Sequence, residues 1–211
     1  MTEQPHMPHT VAVIDDDISV RESLEALVAE AGWRPQVFAT AEEFLARERP
    51  TEPGCLVLDV GLPDLNGLEL QQRIASCGAL PIIFITGNGD IPTTVRAMKA
   101  GAVEFMTKPF GPETLLRAIG EAIEKSRVII AQEKEVKALR ERYETLTPRE
   151  REVLTHVIAG RLNKQIAGDL GTVEKTVKMH RGRMMRKMGV RTVADLVRVA
   201  EKAGVEPVNP A

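Results

Sequence analysis

Short apolar runs alternate with segments of helical period through the first half of the chain. Thr10-Val11-Ala12-Val13-Ile14, Pro35 to Phe38, Cys55-Leu56-Val57-Leu58, Pro81-Ile82-Ile83-Phe84-Ile85 and Ala102 to Met106 are each bounded by turn or polar residues. Such runs mark buried strands. Between the first two, Val20, Leu24, Leu27, Val28 and Ala31 recur at helical spacing, with Gly32 as a stop. Thr40 is placed to cap a short helix through Leu45, with Glu42 and Glu43 in its first turn. Further helices are predicted over Leu68 to Ile74, over Thr93 to Ala100 before Gly101, and from the region of Pro112 and Glu113 onward. Strands alternating with helices predict a parallel sheet covered on both faces. Five strands fit an α/β flavodoxin-like doubly wound fold, whose switch point joins the ends of the first and third strands.

Beyond Glu124 the pattern changes. Ile129, Gln132, Val136, Leu139, Tyr143 and Leu146 follow a three-four step with charges between them. A narrow seam of that kind fits a short dimeric coiled coil or a plain amphipathic linker helix. From Thr147 no strand is predicted. Thr147-Pro148-Arg149-Glu150 joins a cap, a first-turn proline and a glutamate that can reach back, which is a strong helix start. Gly160 ends that helix. Asn163 is placed to cap a short helix through Leu170 before Gly171. Glu174 to Met188 forms the next before Gly189, and Thr192 caps a last one to about Ala203 before Gly204. Four short helices make a small all-α domain containing a helix-turn-helix. The predicted organisation is 9–126 for the α/β domain, 127–145 for a long linker helix and 146–206 for the helical domain.

Composition adds the partners. The chain has 211 residues, 43% apolar and 27% charged, ordinary globular values that leave room for two cores. Its net charge of −2 is unevenly spread. From Asn163 to Arg191 the bases are Lys164, Lys175, Lys178, Arg181, Arg183, Arg186, Lys187 and Arg191, against only Asp169 and Glu174. A basic segment on an acidic body points to nucleic acid. Cys55 and Cys77 have no metal-ligand spacing and form no disulfide framework, so a reduced cytoplasmic protein is expected. Met1 to Thr10 lacks a signal-peptide pattern, and no apolar run approaches membrane-spanning length, so no membrane partner is expected.

Candidate chemistry sits at the strand ends. Asp59 alone fits either a turn cap or a ligand-binding carboxylate. Asp15 and Asp16 end the first strand and converge on the same switch point, with Asp17 placed as a helix cap. Like charges so close need a proton or cation between them, and oxygen donors without histidine favour Mg2+. Thr86 ends the fourth strand and Lys108 follows the fifth, just before Pro109. Carboxylate, metal, hydroxyl and lysine together suit phosphoryl transfer to Asp59.

The basic helix has two faces. Val177, Met184, Met185 and Met188 can line the core while Lys175, Lys178, Arg181, Arg183, Arg186 and Lys187 face out. That amphipathic design, after a short helix and a tight turn, fits a recognition helix in the major groove. Most of its bases should bind phosphates and few can read bases.

These residues carry a resemblance. Val13-Ile14-Asp15-Asp16-Asp17, Leu58-Asp59, Leu62-Pro63-Asp64, Gly67, Ile85-Thr86-Gly87, Lys99-Ala100-Gly101-Ala102 and Lys108-Pro109-Phe110 resemble the motifs of a response-regulator receiver domain. The resemblance implies that Asp59 is the phosphoacceptor, supplied by a sensor histidine kinase. It implies that Asp16, Asp59 and the Gly61 carbonyl bind Mg2+ with help from Asp15, that Thr86 and Lys108 contact the phosphoryl group, and that Thr86 and Phe105 act as the switch. Phenylalanine stands at position 105 where tyrosine is commoner. Leu146 to Leu154, Gly160, Asn163-Lys164-Gln165-Ile166-Ala167, Thr176 to His180 and Lys187-Met188-Gly189-Val190 resemble the LuxR-type helix-turn-helix. That resemblance implies DNA contacts from Lys164, Thr176, Lys178, Met179, Arg181, Gly182, Arg183, Arg186 and Lys187. Gly182 stands where relatives often carry a larger residue, and His180 fits either a phosphate contact or a packed position.

Both halves together resemble two-component transcriptional regulators with a FixJ- or NarL-like arrangement. They imply a regulator and not an enzyme, binding double-stranded promoter DNA as a phosphorylation-induced homodimer and working with RNA polymerase. Three other readings fit less well. A phosphohydrolase with an aspartyl-phosphate wants a carboxylate at the position of Gly61. A flavodoxin-like nucleotide binder wants a hydroxyl-rich loop where Asp15, Asp16 and Asp17 stand. A small-ligand-sensing LuxR-type regulator shares only the DNA-binding end.

Overall fold

A computed structural model describes residues 9–47, 52–75 and 80–208. Cys77, read above as a helix-end residue, lies outside them. The chain divides into two units, Met1–Ala131 and Gln132–Ala211.

Among the described residues the first unit holds five strands, β1 (Thr10–Ile14), β2 (Arg34–Phe38), β3 (Gly54–Asp59), β4 (Ile82–Thr86) and β5 (Glu104–Thr107). They form one sheet in the order β2-β1-β3-β4-β5, with every neighbouring pair parallel. Its helices are α1 (Ile18–Glu30), α2 (Ala41–Ala46), α3 (Gly67–Ala75), α4 (Ile91–Lys99) and the first part of α5 (Pro112–Glu144), whose residues from Gln132 onward belong to the second unit. Alternate strand residues feed two cores. Ala12, Ile14, Leu56, Leu58 and Phe84 pack with Phe44, Leu70 and Ala97 on one face. Val11, Val13, Cys55, Val57, Ile83 and Ile85 pack with Leu24, Val28, Leu115 and Ile119 on the other. Central strands buried on both faces read as continuous apolar runs, which is why they stood out.

Two element starts differ from expectation by two residues. The fifth strand begins at Glu104 rather than Ala102. α4 closes through Gly101 at φ 92, and the Ala102 N–H donates to the Ala97 carbonyl, so Ala102 is taken up by the helix end. α4 itself starts before Thr93, because Asp90 caps it by accepting from the Thr93 N–H at 2.7 Å.

The second unit contains α6 (Pro148–Ile158), α7 (Asn163–Asp169), α8 (Glu174–Met188) and α9 (Val193–Ala203). Their core is Leu146, Val153, Leu154, Val157, Ile166, Val177, Met184, Met188, Leu196 and Ala200, with Tyr143 packed against it. Tyr143 and Leu146 of the seam are therefore used inside this unit. The Thr147–Glu150 capping box forms in both directions. Asn163 does not cap α7. Leu162 occupies that place without a side-chain bond, and Gln165 reaches back to accept from its N–H at 2.8 Å.

Candidate functional site

The sheet register builds the acidic site. Ile14 lies opposite Leu58, so Asp15 and Asp59, the next residues, leave the sheet side by side. Asp59 lies opposite Ile85 and Thr86 opposite Thr107, which brings Thr86 and Lys108 to the same edge. Lys108 donates from Nζ to Asp15 Oδ2 at 2.6 Å and stands 3.3 Å from Asp59 Oδ1. Its main-chain N–H donates to the Thr86 carbonyl at 2.7 Å, and the Lys108–Pro109 peptide is cis.

Each acid is tethered. The Asp17 N–H donates to Asp15 Oδ1 at 3.0 Å, and the Gly61 N–H donates to Asp59 Oδ2 at 3.0 Å. Asp17 caps α1 through the Ser19 N–H, as expected. Asp15 and Asp59 are buried, whereas Asp16 is exposed. Burial lifts the Asp59 carboxyl above the ordinary aspartate value, and negative Asp15 adds to this; Lys108 and the Gly61 N–H oppose it. Burial works against the Lys108 ammonium, but Asp15 and Asp59 outweigh it and hold its pKa above the ordinary lysine value.

The expected donors, carboxylates and the Gly61 carbonyl, are all oxygens and suit a hard divalent ion; Gly61 is held at the site by its N–H bond to Asp59. Among the described residues, no three acidic, histidine or cysteine side chains close around a common point. The structure joins Asp15 and Asp59 on the lysine and leaves Asp16 facing outward, so the three carboxylates expected together are only partly gathered. Mg2+ needs no closed cage. It binds through one or two carboxylates and keeps several waters, so these residues fit it.

Thr86 is buried, and its Oγ1 accepts from the Asn88 N–H at 3.2 Å. The Phe105 ring is half-buried, 6.0 Å from Phe84. A Cβ on Gly89 would meet Thr107, Phe105 and Thr86 side-chain carbons at 2.8, 3.3 and 3.3 Å. The loop after β4 thus passes close to Thr86 and Phe105, the two residues expected to act as the switch.

The reading of the residues missed two contributors. Asp64 accepts from the Glu42 N–H at 3.1 Å, which ties the loop after Asp59 to the start of α2. The turn Pro63-Asp64-Leu65-Asn66-Gly67 signalled a bend but not this long-range cap. Arg21 donates to the Asp15 carbonyl at 2.7 Å; only its proximity to the aspartates in sequence hinted at that.

In the second unit, α8 buries Val177, Met184 and Met188, with Met185 half-buried. Lys178, Met179, Gly182, Arg183 and Arg186 are exposed, Thr176 is half-buried, and Lys164 is exposed on α7. Lys178 pairs with Glu174 at 3.3 Å, and Arg186 Nε lies 3.4 Å from the Gly182 carbonyl. Two further expected DNA contacts reach partners outside α8. Arg181 donates to Asn163 Oδ1 at 2.9 Å, and Lys187 donates to Glu150 Oε2 at 2.6 Å and to the Thr145 carbonyl at 2.9 Å. His180 is half-buried with Nδ1 enclosed.

Comparison with known proteins matches both units. A model of the response regulator receiver domain matches residues 11–120, and one of bacterial regulatory proteins of the luxR family matches residues 144–200. Nodulation protein W of Bradyrhizobium diazoefficiens is 47% identical over 196 residues, covering 92% of this chain and 86% of its own. The transcriptional regulatory protein FixJ of Rhizobium meliloti is 40% identical over 200 residues, covering 94% and 98%. A solved structure of the response regulator StyR has a TM-score of 0.77 at 46% identity, covering 92% of this chain and 99% of StyR.

Proposed function

Because this chain belongs to the response regulators, with a receiver domain followed by a LuxR-family DNA-binding domain, we propose that Asp59 is its phosphoacceptor. The protein is a phosphorylation-controlled, DNA-binding transcriptional regulator of a two-component system. A sensor histidine kinase supplies the phosphoryl group. An Asp59 carboxylate oxygen attacks phosphorus, the bond from phosphorus to the histidine nitrogen breaks, and the imidazole keeps that electron pair. Asp15, Asp16, Asp59 and the Gly61 carbonyl would hold Mg2+, which supplies positive charge to the phosphoryl oxygens. Lys108 turns from the acids to the new phosphoryl group, and the Thr86 hydroxyl donates to it. The observation that carries this reading is the shared ammonium, 2.6 Å from Asp15 and 3.3 Å from Asp59.

Thr86 and Phe105 then bias the receiver between two states. Without a phenolic hydroxyl, Phe105 acts through the position of its ring. A homodimer on phosphorylation gathers two DNA-binding domains on one duplex. Its support is the apolar stripe of α4, where Ile91, Val95 and Met98 are 80%, 43% and 42% exposed. Lys178, Met179, Gly182, Arg183 and Arg186 face promoter DNA, with Lys164 and Thr176 beside them, and the bound dimer engages RNA polymerase. No helix among the described residues is long and apolar enough to cross a membrane, and the proposed place of action is the cytoplasm.

Intact mass after incubation with acetyl phosphate and Mg2+ tests the reading, with Asp59→Asn beside the wild type. One phosphoryl group gained by the wild type alone is expected. No gain, or an equal gain in the variant, overturns it.

A further inference from the structure

We propose that Arg21 is a positioning residue for the metal-binding acids, an inference that rests on the reading of Asp59 above. Arg21 lies near the start of α1, and its side chain reaches back across the acidic loop. Its guanidinium Nη1 donates to the Asp15 carbonyl at 2.7 Å. The far end of the loop is fixed by the helix itself, whose first bond runs from the Arg21 main-chain N–H to the Asp17 carbonyl at 3.0 Å. Asp16 sits between these two bonds.

The Asp15 carbonyl belongs to the peptide plane that joins Asp15 to Asp16. Fixing that oxygen fixes the plane, and with it the direction in which both neighbouring side chains leave the loop. Asp15 is already held at its N–H by the Phe38 carbonyl, at Oδ1 by the Asp17 N–H and at Oδ2 by Lys108. Arg21 completes that set at the one remaining main-chain group. Asp16 is exposed, so the constraint on its backbone fixes the point from which its side chain leaves the loop and narrows the space its carboxylate can sweep.

Charge argues the same way. Asp15, Asp16, Asp17 and Asp59 crowd one end of the sheet, and among the described residues Lys108 is the ammonium paired with them, through Asp15 and Asp59. The half-buried Arg21 guanidinium adds a second cation bonded to main chain rather than to a carboxylate. It lessens repulsion in the loop and leaves the carboxylate oxygens available to a metal. A guanidinium is permanently charged and planar, so it holds this place at any working pH. Groups behind the ligands of a metal are worth about 10-fold or more in its affinity.

The test uses the full chain with Arg21→Met, Arg21→Lys and Asp59→Asn. Mg2+ alone is titrated by calorimetry, and its half-saturating concentration is measured for phosphorylation by acetyl phosphate. Arg21→Met is expected to weaken Mg2+ binding about 10-fold while the rate at saturating Mg2+ is retained, and Arg21→Lys to recover part of the loss. Unchanged Mg2+ affinity in both Arg21 variants overturns the inference, including where their melting temperatures fall, because Arg21 then serves the fold alone. If Arg21→Met does not fold, Arg21→Lys decides on the same two readouts. A wild type that neither binds Mg2+ nor gains a phosphoryl group removes the reading of Asp59 instead.

Discussion

The ammonium of Lys187 lies 2.6 Å from Oε2 of Glu150, so an exposed base of α8 is paired with a buried acid of α6. Glu150 is buried and also accepts from the Thr147 N–H at 2.9 Å. Lys187 thereby joins the end of α8 to the start of α6. Lys187→Met should destabilise the C-terminal unit by about 2 kcal/mol, read as a shift of the denaturation midpoint. It should leave the salt dependence of DNA binding nearly unchanged. Arg183→Ala and Arg186→Ala should each lower that slope by about 0.9. Equal loss of slope from all three would return Lys187 to the DNA contacts.

The same glutamate sets a pH response. Burial would raise its carboxyl, but the Lys187 and Thr147 bonds outweigh this and hold it below the ordinary value of 4.5. A carboxyl depressed in the folded state contributes stability that is present above its unfolded value. That stability is lost as pH falls through the folded one. Melting of the C-terminal unit followed by circular dichroism should therefore weaken as pH drops below 4.5, and Glu150→Gln should flatten the curve while lowering its neutral plateau.

Asp59 responds in the opposite sense. Its carboxyl is raised in the folded chain by burial and by Asp15. Stability from such a group is present below its unfolded value and is lost as pH rises through the folded one. Asp59→Asn should therefore stabilise the receiver unit at neutral pH by about 1 kcal/mol, with the gain vanishing in acid below 3.8. Denaturant midpoints at both pH values measure it. Mg2+ should stabilise the wild type and not this variant.

Gly67 opens α3 against the main chain of the site. A Cβ there would lie 2.7 Å from the Asp59 carbonyl oxygen and 3.1 Å from Val60 Cα. Neither can move without moving Asp59, so Gly67→Ala should destabilise the receiver unit by about 2 kcal/mol and slow phosphorylation by acetyl phosphate. Full rate with reduced stability would separate the packing of α3 from the placing of Asp59.

The fold was legible where burial writes a period into the chain. The middles of β1, β3 and β4 are continuous apolar runs because both faces are covered, and Asp15, Asp59 and Thr86 are the first polar residues where those runs end. Thr40, Thr147 and Thr192 cap as expected because each needs only its own next turn. Long-range partners were not legible. Composition cannot tell a lysine facing water from one facing Glu150, 37 residues away in sequence. Nor does a turn motif announce that Asp64 will meet the Glu42 N–H. Asn163 looked like a cap because caps favour asparagine, yet its side chain serves Arg181 and Gln165 closes the turn.

Cys55 lies in the middle of the sheet on the strand that ends in Asp59, fully enclosed, and burial pushes its thiol up to about 12. Alkylating reagents act on the thiolate, so they are shut out twice, by access and by protonation. Labelling mapped to this residue therefore times the opening of the sheet itself. Run with and without acetyl phosphate, it turns a silent core atom into a clock for how firmly the sheet beneath Asp59 is held together.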